Sequence, residues 1–263
     1  MLGQLLDTQG RAILLKKSLW ILAHYDDEVM GLHLIPSSTS EIQHVVYLTN
    51  SVPSLAQFSG EVRQKECTEA WRIGCPGVKI SFLGDKFELT DGDLHGTFDA
   101  TSFSDLLILS KTYPYDEIVS LTLEGGHQDH DITSLIAERI AMLLGIPLRT
   151  FPTYRGLKNR WPLYTVMTSG DNGTQELQLM FSKRINLAVT ALRMISKYKS
   201  QTKTWLGLTP FIVLKYLRGR ISYKEHLKIE SWVQQDPKIF LYFNRNKNQI
   251  LDYNSFRDKL MSF

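Results

Sequence analysis

Apolar and polar positions fall into alternating blocks along the first half of the chain. Residues 18–23 (SLWILA) form a short, unbroken apolar run that predicts a buried strand. Residues 26–35 predict a helix whose first turn is acidic, which suits the positive end of a helix dipole. The β-rich runs 42–49 (IQHVVYLT), 78–84 (VKISFLG) and 116–123 (DEIVSLTL) predict three more strands. Between them, residues 59–74 read as a helix with Ser59 as its cap. Val62, Cys67, Ala70, Trp71 and Ile73 are its apolar positions, and Gly74 and Pro76 end it. Residues 101–113 form an amphipathic segment stopped by Pro114, and 129–145 a strong helix ending in Gly145. Strands that alternate with helices in this way predict parallel βαβ units, hence an α/β, Rossmann-like, mostly parallel sheet with helices on both faces.

Beyond Gly145 the pattern weakens. Residues 162–168 (PLYTVMT) read as a strand and 178–199 as a helix, and residues 1–10 as a peripheral helix ahead of the first strand. The expected organisation is one domain over 1–205 and a helical, basic, aromatic C-terminal extension over 206–263 packed on it. The extension carries ten Lys/Arg against five Asp/Glu within an overall charge of only +3. Such a tail suits either an acidic partner or a solvated surface. The weak average charge gives no reason to expect nucleic acid. The two cysteines, Cys67 and Cys75, encode no disulfide framework and read as reduced, buried thiols. The N-terminus places its basic residues after the apolar ones, unlike a signal peptide. The longest apolar stretch, WLGLTPFIVLKYL, is interrupted by Pro210 and Lys215 and falls short of the roughly 20 residues of a spanning helix. A cytoplasmic protein without a transmembrane segment is expected, with peripheral membrane contact through residues 205–220 as the alternative; the oligomeric state is left open.

The chemistry concentrates where two strands end. In a parallel sheet, sites form beyond the carboxyl ends of the strands. His24, Asp26, Asp27 and Glu28 follow the first predicted strand, and GGHQDH (125–130) follows the fourth. Two distant polar clusters thus share one sheet edge. Imidazole nitrogens and a carboxylate oxygen suit a catalytic zinc ion, which keeps three protein ligands and an open position. Asp26 and Asp27 diverge by roughly 100° on a helix, so one can bind metal while the other faces water.

AHYDDE (23–28) resembles the AHPDDE motif of the PIG-L/LmbE-like N-acetylglucosaminyl deacetylase family, and HQDH (127–130) resembles its HPDH motif. RQKECTEAWRIG (63–74) is similar to the family's Arg-x-x-Glu helix, and YKSQ (198–201) to its Ser-Gln pair. The likeness spans roughly residues 17–205. It implies that His24, Asp27 and His130 bind Zn2+ or another divalent metal. It implies further that Asp26 is the general base and that His127 stabilises the oxyanion and assists the leaving amine. The implied reaction removes an N-acetyl group from an N-acetylglucosamine-type conjugate or glycan precursor and releases acetate. The substrate would be a small-molecule or glycoconjugate amino sugar.

Tyr25 and Gln128 stand where the family has proline; neither change removes a ligand. Tyr25 would narrow the pocket or contact the sugar. Arg63 would bind substrate hydroxyls or phosphate, or else sit on the surface paired with Glu66. Glu28 would orient a neighbouring ligand or cap the helix, and Asp129 would orient a ligand or supply helix N-terminal charge. Asp91, Asp93 and His95 lie in the loop after the third predicted strand, near the same sheet edge as the two motifs, and read as an Asp-Gly turn in preference to site residues. His33, His44 and His226 have no partner motif. Two other functions fit the same ligands: a metal-assisted amidase on a non-sugar N-acyl substrate, and a non-catalytic, metal-retaining sugar-binding domain. A dinucleotide site is disfavoured, because the first turn is acidic rather than Gly-rich.

Overall fold

Ser18–Leu22 (β1) is buried along its whole length at the centre of the principal sheet. The computed structural model describes residues 17–35, 44–52, 58–123, 127–156, 164–167, 175–226 and 253–263. Four strands run parallel with β1: His44–Tyr47 (β2), Lys79–Phe82 (β3), Glu117–Leu121 (β4) and Leu148–Phe151 (β5). Tyr154–Gly156 (β6) and Tyr164–Val166 (β7) form a separate antiparallel ribbon. Gln175–Gln178 (β8) and Arg220–His226 (β9) complete the principal sheet, with β9 antiparallel to β5 and to β8. The order is β3-β2-β1-β4-β5-β9-β8, so the chain's direction of travel across the sheet reverses between β1 and β4.

Both faces of β1 are covered, which is why its sequence is apolar without alternation. On one face Trp20, Leu22, Val45, Tyr47, Val119 and Leu121 share a core with helices α1 (Glu28–Gly31), α2 (Gly60–Gly74), α7 (Phe181–Ile195) and α8 (Thr202–Arg218). On the other, Leu19, Ile21, Val46 and Ile118 pack with α5 (Ala100–Lys111), α6 (Gln128–Leu144) and α9 (Tyr253–Met261). Two short helical turns, α3 (Leu83–Lys86) and α4 (Leu94–Thr97), lie between β3 and α5. Gly145 adopts φ 65° and closes α6 with a left-handed cap. Gly84 lets α3 lie directly on the backbone of Thr49, where any side chain would collide.

The predicted helix over 26–35 is one turn of α1 followed by a 3-10 turn at Leu32–Leu34. Ser59 occupies the cap position of α2 without a side-chain cap bond, and Val62 faces solvent rather than the core. Cys67 and Cys75 are free and buried. The extension expected from residue 206 begins inside α8, and besides α8 and α9 it contributes β9 to the central sheet. Pro210 does not break α8, which runs through it. The bond it forgoes is to the carbonyl of Leu206, a residue 73% exposed, where water can substitute. Residues 1–10 and 227–252 lie outside the described residues.

Candidate metal centre and cleft

His24 leaves the end of β1 shortly before α1 begins, and its backbone amide donates to Asp27 Oδ2 at 2.8 Å. His127 caps α6 immediately beyond β4: its Nδ1 accepts from the Asp129 amide at 3.2 Å. Because β1 and β4 are neighbours at the reversal point, the two motifs meet at one edge, where open α/β sheets form their sites.

Three side chains converge there, His24, Asp27 and His130. His24 Nδ1 lies 3.1 Å from His130 Nε2, His130 Nε2 lies 3.1 Å from Asp27 Oδ1, and His24 Nδ1 lies 3.7 Å from Asp27 Oδ2. Tetrahedral ligands about 2.0–2.1 Å from zinc stand about 3.3 Å from one another. Two edges of this triangle of side chains, which share His130 Nε2, match that spacing, and the other Asp27 oxygen closes the third edge at 3.7 Å. His24, His127 and His130 also form a cluster of ligand atoms lying within 4.8 Å of one another. The residues fit a divalent cation in geometry and in donor type.

The far sides of both ligand rings are held. His24 Nε2 lies 3.2 Å from Asp129 Oδ2 and 3.3 Å from Asp91 Oδ1. Asp129 is fully buried and also accepts from the amides of Gly92 at 2.6 Å and Leu94 at 3.1 Å. His130 Nδ1 meets Thr153 Oγ1 at 3.0 Å. Such partners fix ring orientation and raise ligand basicity. Gln128 binds the Gly92 carbonyl, tying the start of α6 to the same loop.

A cleft of about 230 Å³ opens over the triangle. Asp26, Arg63, Asp91 and His127 line it together with Gln201, Thr204, Trp205 and Leu208 from the start of α8. Arg63 is buried and approaches Asp26 Oδ1 at 3.8 Å. It is not the surface partner of Glu66, which accepts instead from Ser200.

Burial dominates the electrostatics. It disfavours the Asp26 carboxylate and raises its pKa, against Arg63, which favours the charge. Burial likewise acts against the Asp27 carboxylate, but His130 and His24 outweigh it and hold the group well below the usual range. Burial opposes a charged His24, yet Asp91, Asp129 and Asp27 outweigh it and raise this imidazole. His127 is pushed down to about 3 by burial and then by His24 and His130, so it is neutral at pH 7. Asp91 drops to about 2, because His24 overcomes the cost of its burial.

Three expectations need correction. Tyr25 does not line the cleft: its ring is fully buried between Tyr47 and Phe82, and its hydroxyl donates to Asp85. The turn at 25–27 points it into the core, away from the ligands on either side. Asp91 is more than part of an Asp-Gly turn, since it faces His24 from within the cleft. Glu28 caps nothing. It is buried, accepts from Tyr47 Oη at 2.7 Å and from Tyr198 Oη, and burial pushes its pKa up to about 8. Asp93 and His95 stay in the α4 turn, and His95 packs against Phe256. Its place beyond the third strand, on the edge that holds both motifs, is the sequence signal for this role, and the local Asp-Gly turn outweighs it.

No protein-family model and no curated protein sequence matches the chain. Solved structures do. The N,N'-diacetylchitobiose deacetylase from Pyrococcus horikoshii aligns with 81% of this chain and 84% of its own at TM-score 0.56 and 18% identity. A deacetylase of teicoplanin biosynthesis aligns over 82% and 100% of the two chains at TM-score 0.52 and 12% identity. A conserved protein from Thermus thermophilus aligns over 84% and 100% at TM-score 0.51 and 16% identity. The two named deacetylases are of the LmbE/PIG-L type, and the chain shares their α/β fold.

Proposed function

We propose that the protein is a metal-dependent N-deacetylase that hydrolyses the acetamide of an N-acetylated amino sugar, an N-acetylglucosamine-type conjugate or glycan precursor. One observation carries this reading: the His24–Asp27–His130 triangle opens onto a cleft in which a separate carboxylate, Asp26, stands free of the triangle. The fold shared with sugar and glycopeptide deacetylases supports it. Held by His24, Asp27 and His130, zinc or another divalent ion would polarise the amide carbonyl and acidify a water molecule.

The remaining steps belong to the chain's own groups. Asp26 accepts the proton of the attacking water as oxygen bonds to the carbonyl carbon, and the proton then passes to the departing nitrogen as the C–N bond breaks. Arg63 favours the charged form of Asp26 against the burial that raises its pKa. His127 has its Nδ1 engaged by the Asp129 amide, so the neutral ring carries its proton on Nε2. That N–H stabilises the carbonyl oxygen as it becomes negative and then assists the leaving amine. Arg63 and Gln201 supply donors for sugar hydroxyls, and Trp205 offers an apolar ring face on the same wall.

The test pairs metal content with acetate release on a panel of N-acetylglucosamine conjugates and non-sugar N-acyl amides. Wild type is expected to bind one divalent ion and to favour the sugars. Asp26→Ala should keep the ion and lose roughly 10²–10⁴-fold in kcat. Full activity in that variant, or a wild type that binds no ion, refutes the reading. Preference for the non-sugar amides would move the substrate class.

A further inference from the structure

Helices α7 and α8 carry an apolar stripe that nothing among the described residues covers. On α7, Phe181, Ile185, Val189 and Leu192 recur at helical spacing on one face and are 74%, 40%, 47% and 44% exposed. On α8, Leu206, Leu214 and Leu217 do the same at 73%, 45% and 46%. The two stripes meet along a groove of about 740 Å³ to which Leu192, Leu206, Leu214 and Leu217 all contribute. Large apolar groups this exposed, side by side on two helices, mark a surface built for contact.

Charge says what the contact is. From Phe181 to Arg220 the sequence contains nine Lys/Arg and no Asp/Glu. Arg193, Lys199, Lys203, Arg218 and Arg220 are exposed, and among the described residues none of them forms an ion pair. Lys199 lies on the groove itself. A second copy docked face to face would set these cations against their own kind. Residues 227–252 carry four Lys/Arg against three Asp/Glu and so offer no anionic complement. No helix among the described residues is long and apolar enough to cross a membrane.

We propose that the exposed apolar stripe and unpaired cations of α7 and α8 form a docking face for an anionic phospholipid bilayer. The leucines and Phe181 enter the boundary between headgroups and acyl chains, while the flanking cations meet lipid phosphates, the arrangement of an interfacial amphipathic helix. Trp205 lines both this groove and the metal cleft, so docking brings the mouth of the cleft to the lipid surface.

Cosedimentation of the full chain with vesicles tests the face directly and needs no assumption about catalysis. Binding is expected to vesicles of equal parts phosphatidylcholine and phosphatidylserine, to fall with added salt, and to be absent from phosphatidylcholine alone. The double variant Lys199→Gln/Lys203→Gln should weaken partitioning about 25-fold, roughly fivefold per cation removed. Leu206→Glu/Leu214→Glu should abolish it; both positions are exposed, so wild-type thermal melting is expected in both variants. Equal binding to the two vesicle types, no binding, or binding indifferent to both double variants overturns the proposal. So does a concentration-dependent dimer broken by Leu206→Glu/Leu214→Glu, which would give the face to a second copy. An acidic protein that binds this face while anionic vesicles do not would overturn it as well.

Discussion

Glu66 on α2 accepts hydrogen bonds from both the amide and the hydroxyl of Ser200, at 2.9 and 2.5 Å. The contact joins two motifs that are 134 residues apart. Arg63 sits one turn before Glu66, and Gln201 follows Ser200, so one carboxylate sets the spacing between two walls of the cleft. Charge-assisted hydrogen bonds of this kind contribute about 1.5–3 kcal/mol. Glu66→Gln and Ser200→Ala are therefore expected to cost about 1–2 kcal/mol in urea unfolding, and to raise KM more than they lower kcat.

Asp129 acts at a distance from the proposed ion, through His24. Asp129→Asn removes the charge behind the ring and loosens the grip on the amides of Gly92 and Leu94. Metal affinity should drop about 10–100-fold, as typically follows loss of such a partner. Competition against a chromophoric chelator measures it. An unchanged affinity would show that His24 is held well enough by Asp91 and the backbone.

Tyr25 stands beside a ligand in sequence but inside the core in space. Tyr25→Phe keeps the ring between Tyr47 and Phe82 and removes only the donor to Asp85. A stability loss of about 1 kcal/mol is expected, with KM for the sugar unchanged. A raised KM in a variant of wild-type stability would place this side chain at the substrate after all.

Acid should destabilise the fold from a site far from the cleft. His44, at the opposite end of β2, is buried with Nδ1 on Tyr115 Oη at 2.8 Å and Nε2 on Ser81 Oγ at 2.9 Å. Burial, followed by Lys79, lowers its pKa from 6.5 to about 4. The unfolded chain then takes up the proton first. The stability this neutral ring supports is complete above about pH 6.5 and is lost as pH falls toward 4, by up to about 3 kcal/mol. His44→Leu should flatten the stability curve in that window relative to wild type, as read from urea midpoints at successive pH values.

The sequence made the strands around the site legible because buried parallel strands need unbroken apolar runs with abrupt ends. It drew attention to His24, Asp27 and His130 because they follow those ends, and the fold brings the three side chains together. Periodicity could not place what depends on packing between distant segments. Asp91 satisfies a local Asp-Gly turn and faces His24 as well, and only the folded sheet brings the two together. Tyr25 and Val62 were misplaced for the opposite reason: a residue's neighbours in sequence do not say which side of a turn or helix meets the core. The cations read as a basic tail from residue 206 begin earlier, in α7, and only the pairing of α7 with α8 gathers them beside one apolar groove.

The reversal of strand order between β1 and β4 has a consequence for how the protein matures. The two halves of the proposed ligand set, at residues 24–27 and at 130, include a pair, His24 and His130, that are 106 positions apart. Neither half alone offers more than a weak site. A chain emerging from the ribosome must therefore deliver α6 and seat β4 against β1 before an ion can be retained. On the proposed function, loading would be a late event, and tight retention of the ion would report that the centre of the sheet has been assembled in its native order.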